Sequence, residues 1–186
     1  ETFTPAVMGK MNLAYTDLEF ASGPYAGKTC TEELFLQQRS EAPGTLVIAY
    51  IMNEVEVRQA MVHPDVLPAS DAILSNGMGH PRSSGTFPRF ISKYVREECS
   101  ISLMEALRKM TSYPAARLNL SERGNLEAGT YADIVIFDYE KIRDTSSYQN
   151  CISSPEGISS LIVGGEIVLS EGELAGSTPG EAVFAR

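Results

Sequence analysis

The sequence predicts an α/β fold that gives way to a β-rich tail, and three observations carry that reading. First, an apolar run over 45–51 and a second short one over 66–70 enclose a helical stripe between them. Strand, helix and strand within about 30 residues is the order of a βαβ unit. Second, two further helical patterns fill 87–118. Third, beyond Gly124 the apolar runs are short, β-prone and separated by glycine turns. Three segments follow from this: an irregular lead-in over 1–44, strands alternating with helices over 45–120, and a β-rich segment over 121–186.

Residues 1–28 mix Gly, Pro, Thr and aromatics without a period, and Thr29 to Arg39 suits a short helix. Thr45-Leu46-Val47-Ile48-Ala49-Tyr50-Ile51 has the composition of a strand buried on both faces, as in parallel sheets. Asn53 and Glu56 have the spacing of a helix start, with Val57, Ala60 and Met61 as the apolar stripe. Val66 to Ser70 then reads as a strand ending at Asp71, although Pro68 cannot donate a ladder hydrogen bond. A glycine- and serine-rich loop over 77–85 follows, and a loop of this length after a strand is more often functional than decorative. A first helix spans 87–96. A second begins at a Ser102…Glu105 capping box, carries Leu103, Ala106, Leu107 and Met110 on one face, and runs out near Pro114 to Leu118. In the tail, 132–138 is a strand, and Gly164-Gly165 between 160–163 and 166–169 is a two-residue hairpin signal.

Composition excludes several function classes. Acidic residues outnumber basic ones by 24 to 15, which argues against nucleic acid as a partner. No apolar run is long enough to span a bilayer, and no signal-peptide pattern opens the chain. Cys30, Cys99 and Cys151 are odd in number and widely spaced, which suits free thiols of a cytoplasmic protein. A phosphate loop, a GxSxG elbow and an HExxH pair are all missing. With two histidines, a multi-histidine metal site cannot be completed within these residues.

Asp71 is the first candidate for chemistry. A carboxylate at the end of a parallel strand sits on the rim where α/β folds build active sites, and there it can bind a metal or move a proton. A turn-forming or capping Asp fits the same position equally well. Arg82 and His80 lie in the following loop, stiffened by Pro81. A guanidinium so presented suits two-point capture of a carboxylate, while a solvated loop arginine and a packing histidine are the plainer readings. His63, beside Pro64, reads as structural.

Taken together, SDA at 70–72, GHPRSSGTFPRF at 79–90, SLMEALRKMTSYPAARLNL at 102–120 and RGNLEAGTYADIVIFD at 123–138 resemble one family. It is the D-aminoacylase, or N-acyl-D-amino-acid deacylase, branch of the amidohydrolase superfamily. The hairpin at 160–169 and GELAGSTPG at 172–180 are similar to that family's carboxyl terminus. The resemblance implies the carboxyl-terminal part of a TIM-like, metal-dependent hydrolase barrel, with 45–51 and 66–70 as its last strands. Strands of a small composite β-sandwich would follow. It also implies that Asp71 shuttles a proton beside a zinc ion and contributes to its coordination. Arg82 would hold the substrate carboxylate, His80 and Ser83 would also be substrate-binding, and Ser83, Ser84 and Gly85 would shape the loop.

The family's HxH, cysteine and later histidine ligands have no counterpart here, and the chain opens on Glu1 rather than Met. The expectation is therefore a carboxyl-terminal fragment, inactive alone, whose partners are an N-acyl-D-amino acid such as N-acyl-D-glutamate and the remainder of the same polypeptide. The remaining zinc ligands would lie outside the chain. A half-barrel standing alone would leave buried-type strands such as 45–51 uncovered, which suits a homo-oligomer. The competing expectation is a non-catalytic structural or oligomer-forming remnant of an amidohydrolase.

Overall fold

A computed structural model describes residues 3–72, 74–75 and 78–184; Glu1, and Gly77 of the glycine-rich segment, lie outside these. The chain divides by contacts into two compact units, Glu1–Val57 and Arg58–Arg186.

The first unit is more ordered than its sequence suggests. α1 (Pro5–Met11) starts where the Thr4 hydroxyl accepts the Val7 amide at 3.2 Å, and it ends at Asn12 in the left-handed region. A single 3-10 turn (Tyr15–Asp17) leads into β1 (Leu18–Phe20). α2 (Glu32–Glu41) is capped by the Thr31 hydroxyl, with Glu32 and Glu33 favourably placed in its first turn. Met8, Leu18, Phe20, Cys30 and Phe35 close a core between these elements. Burial, reinforced by Glu19, pushes the Cys30 thiol up to about 11, so it is an inert packing thiol.

The expected parallel strand over 45–51 is corrected here. β2 (Val47–Ala49) is short and pairs antiparallel with β1, Leu18 opposite Ala49 and Phe20 opposite Val47. Every strand pair among the described residues is antiparallel. α3 (Glu54–Val62) begins as expected, because the Asn53 side chain accepts the amides of Val55 and Glu56 at 2.9 and 3.3 Å.

In the second unit the expected strand over 66–70 is not part of a sheet, so the βαβ unit does not close. Pro68 has no amide hydrogen to give a neighbouring strand, and the Val66 carbonyl accepts from Lys109 Nζ at 2.8 Å. Lys109 lies on α5 (Leu103–Met110), is wholly buried, and also donates to the carbonyls of Met61, at 3.0 Å, and His63. One ammonium thus joins α5 to the end of α3 and the turn after it. Burial pulls its pKa below the usual lysine value, and the three carbonyls stand in for the water the charge has lost.

β3 (Leu74–Ser75) and β4 (Met78–Gly79) form a small antiparallel pair ahead of α4 (Arg82–Arg89). Pro88 lacks an amide hydrogen, and from Phe90 the helix widens into a π-helix (Phe90–Glu97) that buries Phe90, Ile91, Tyr94 and Val95. The Ser102 hydroxyl caps α5 by accepting the Glu105 amide at 3.2 Å. The other half of the expected capping box is replaced, since the Glu105 carboxylate takes two 2.7 Å bonds from Arg108. α6 (Ser112–Arg117) follows.

The tail is a four-stranded meander of β5 (Ile134–Phe137), β6 (Ile158–Val163), β7 (Glu166–Ser170) and β8 (Glu173–Leu174). Gly164 and Gly165 both have positive φ, 57° and 86°, the backbone a type I′ hairpin needs. Asp133 accepts the Gly164 amide at 2.9 Å and pairs with Arg123, which pins the hairpin to the start of β5.

Replacing Lys109 with Met keeps the stem and removes the donors from three buried carbonyls. Lys109→Met is expected to cost on the order of 3 kcal/mol. Chemical denaturation of the purified chain measures it, and an unchanged midpoint would refute the structural role.

Candidate active site

The site lies in the second unit, where the stretch after α3 meets the start of α4. Asp71 has φ of 42°, the left-handed region that a non-glycine residue enters at a cost of about 1 kcal/mol or more. Its side chain is 89% exposed. Arg82 Nη2 reaches Asp71 Oδ2 at 3.2 Å.

Arg82 is not on a loop, as its sequence context suggests, but in the first turn of α4, and so are Ser83, Ser84 and Gly85. The turn is built by its own motif. The Arg82 amide donates to His80 Nδ1 at 3.1 Å, the Ser83 hydroxyl and amide both donate to the His80 carbonyl, and the Thr86 hydroxyl donates to the Arg82 carbonyl. His80 is therefore an imidazole cap, and Ser83 spends its hydroxyl on the backbone rather than on the cavity. Burial first, and Arg82 second, hold the His80 pKa below its ordinary 6.5.

A cavity of about 550 Å³ adjoins this turn, with Leu67 and Pro68 on one side and His80, Arg82, Arg89 and Tyr148 among its other walls. Asp71 stands at this cavity only through its bond to Arg82. Two residues that sequence reasoning missed complete the wall. Asp144 is 7% exposed and faces Arg89 at 3.8 Å. Tyr148 places its hydroxyl 3.2 Å from His80 Nε2, with the two rings edge to face at 5.1 Å. The only clue to Asp144 was Gly85, an odd choice for a helical turn. A Cβ at that position would overlap the Asp144 carboxylate.

The zinc ion that the sequence resemblance implies takes nitrogen, sulfur and carboxylate oxygen ligands. Asp71 offers an oxygen of the kind zinc accepts, but among the described residues no three His, Cys, Asp or Glu side chains cluster as a metal site would require. These residues do not hold such an ion by themselves.

The architecture and motif order meet an independent result in the match of residues 27–169 to the family model described as Amidohydrolase family. The chain belongs to the amidohydrolase family. Over 139 residues it is 35% identical to a D-aminoacylase of Alcaligenes xylosoxydans xylosoxydans, covering 75% of this chain and 28% of that protein. Among solved structures, a D-aminoacylase superposes with a TM-score of 0.78 at 26% identity, over 86% of this chain and 36% of its own. The N-acyl-D-glutamate deacylase of Bordetella bronchiseptica, solved with zinc and a phosphonate mimic of the tetrahedral intermediate, gives 0.71 at 26% identity, over 92% and 36%. This amidohydrolase chain thus spans about a third or less of the proteins it resembles.

The imidazole cap has a pH signature. His80 accepts at Nδ1 only when that nitrogen is unprotonated, so its contribution to stability is present above pH 6.5 and is lost as pH falls through its depressed folded pKa. An NMR titration of the His80 ring is expected to show a midpoint below 6.5, and Arg82→Ala is expected to raise it. A midpoint at or above 6.5 would contradict the buried-cap assignment.

Proposed function

We propose that this chain is the part of an N-acyl-D-amino-acid deacylase that carries its proton-transfer carboxylate and its substrate-carboxylate clamp. The reaction is hydrolysis of the amide of an N-acyl-D-amino acid, N-acyl-D-glutamate being one example, to a carboxylate and a free D-amino acid. Asp71 beside Arg82 carries the reading: an exposed carboxylate on a strained turn, 3.2 Å from a guanidinium at the cavity. Family membership and similarity to two deacylases support it.

Asp71 accepts a proton from the attacking water and returns it to the departing amine. Its side chain has the exposure such transfers need, and one oxygen remains free of Arg82 to take the proton. Arg82 has five donors in a planar fork, so one bond to Asp71 leaves room for a substrate carboxylate. His80 holds the amide at the base of that side chain, and Ser83 fixes the His80 carbonyl. When bound, zinc would supply a water acidified to a pKa of about 7. Among the described residues Asp71 is the one ligand offered to it, the others coming from the remainder of the polypeptide. In this reading 45–120 completes a TIM-like barrel, 121–186 is the carboxyl-terminal share of a β-sandwich, 1–44 leads into both, and the protein works in the cytoplasm.

Asp71→Asn in the complete enzyme is expected to abolish turnover of an N-acetyl-D-amino acid while the circular dichroism spectrum is unchanged. Full activity would remove Asp71 from the mechanism. Arg82→Lys keeps the charge but loses the fork, so KM is expected to rise about tenfold with kcat nearly constant. A second reading, a non-catalytic, self-associating remnant, is favoured by the missing metal cluster among the described residues. Gel filtration of the chain beside a hydrolysis assay of the whole polypeptide separates the two: an oligomer with no activity in either form supports the remnant.

A further inference from the structure

We propose that the 144–148 turn is the positioning device for Arg82, with Asp144, Ser146 and Tyr148 fixing the backbone from which the guanidinium projects. The inference deepens the reading above and rests on it for the substrate group that Arg82 meets.

Three contacts join this turn to the start of α4 across 59 to 68 residues of sequence. The Tyr148 hydroxyl meets His80 Nε2, so the nitrogen opposite the one that caps Arg82 is also held. With Nδ1 accepting, Nε2 carries the hydrogen and donates it to Tyr148. Ser146 Oγ donates to the Pro81 carbonyl at 2.9 Å. The Asp144 carboxylate accepts from the Ser146 hydroxyl at 2.6 Å and its amide at 2.8 Å, which orients that hydroxyl. The same carboxylate lies against the backbone of Gly85, the only residue type that admits it. Residues 80, 81, 82 and 85 are thus each held from outside their own helix turn or through His80. A carboxylate 93% buried, facing a guanidinium at 3.8 Å, is a costly way to hold a surface turn unless its geometry matters.

None of these three side chains needs to touch substrate. Their action is through His80 and Pro81 on Arg82, which makes them positioning residues.

The test uses the isotopically labelled chain and three single variants: Tyr148→Phe, Ser146→Ala, and Ser159→Ala as a control, whose hydroxyl donates to the Ile136 carbonyl in the sheet. Tyr148→Phe is expected to move the His80 Nε2 nitrogen resonance. Tyr148→Phe and Ser146→Ala are each expected to speed hydrogen exchange at the Arg82 amide about three- to tenfold, with amides of β5 to β7 unaffected. Unchanged His80 and Arg82 signals, or an equal change in the Ser159→Ala control, would overturn the proposal. In the complete enzyme the same two variants should raise KM for a carboxylate-bearing substrate and leave kcat in place. If exchange at Arg82 accelerates but KM does not move, the positioning role stands and Arg82 as the carboxylate clamp falls.

Discussion

The ammonium of Lys109 is the constraint on which the second unit is organised. It is fully buried and binds three backbone carbonyls, from Met61, His63 and Val66. Those carbonyls belong to the end of a helix and the turn that follows, where carbonyls are left without intrahelical partners. Binding them fixes the path by which the chain leaves α3, and that path runs through Leu67 and Pro68, one wall of the cavity, to Asp71. A buried charge of this kind adds little net stability, but removing it strands its partners. Its value is in specifying one geometry.

From that fixed path the chain reaches α4, where nearly every residue of the HPRSSGTFPR stretch has a mechanical task. His80 caps, Ser83 ties the His80 carbonyl, Ser84 donates to the Cys151 carbonyl at 2.9 Å, and Thr86 closes the Arg82 carbonyl. Gly85 makes room for Asp144, and Pro88 precedes the change to the π-helix. Two charged ends are left to reach out, Arg82 toward Asp71 and Arg89 toward Asp144. A motif that looks like a list of polar candidates is, in structure, two guanidinium groups at one cavity and the scaffold that holds them. The same logic explains why a Ser83 hydroxyl that sequence reasoning put in the binding loop is spent on backbone.

Local signals were read well where the responsible atoms lie within three or four residues of one another. Asn53 and Ser102 act through bonds of that span, Gly164-Gly165 acts through its own backbone conformation, and each element begins or turns where its residues predict. The pairing of the strand within 45–51, and the strand over 66–70, were misjudged for the opposite reason. An apolar run records that it will be buried, not what will pair with it. β2 found β1, a segment with no period of its own, and 66–70 gave a carbonyl to a lysine some 43 residues away.

The sequence by itself determined the helix caps, the type I′ hairpin and the motif order that marks an amidohydrolase, because each is written in neighbouring residues. Tertiary structure alone decided that Lys109 would be buried, that β2 would be antiparallel, and that Asp144 and Tyr148 would meet the start of α4. Those outcomes depend on contacts between residues 27 to 68 apart, and the polar side chains among them individually look like ordinary surface groups. Only folding removes the water that would otherwise satisfy them, and that loss makes each partner specific.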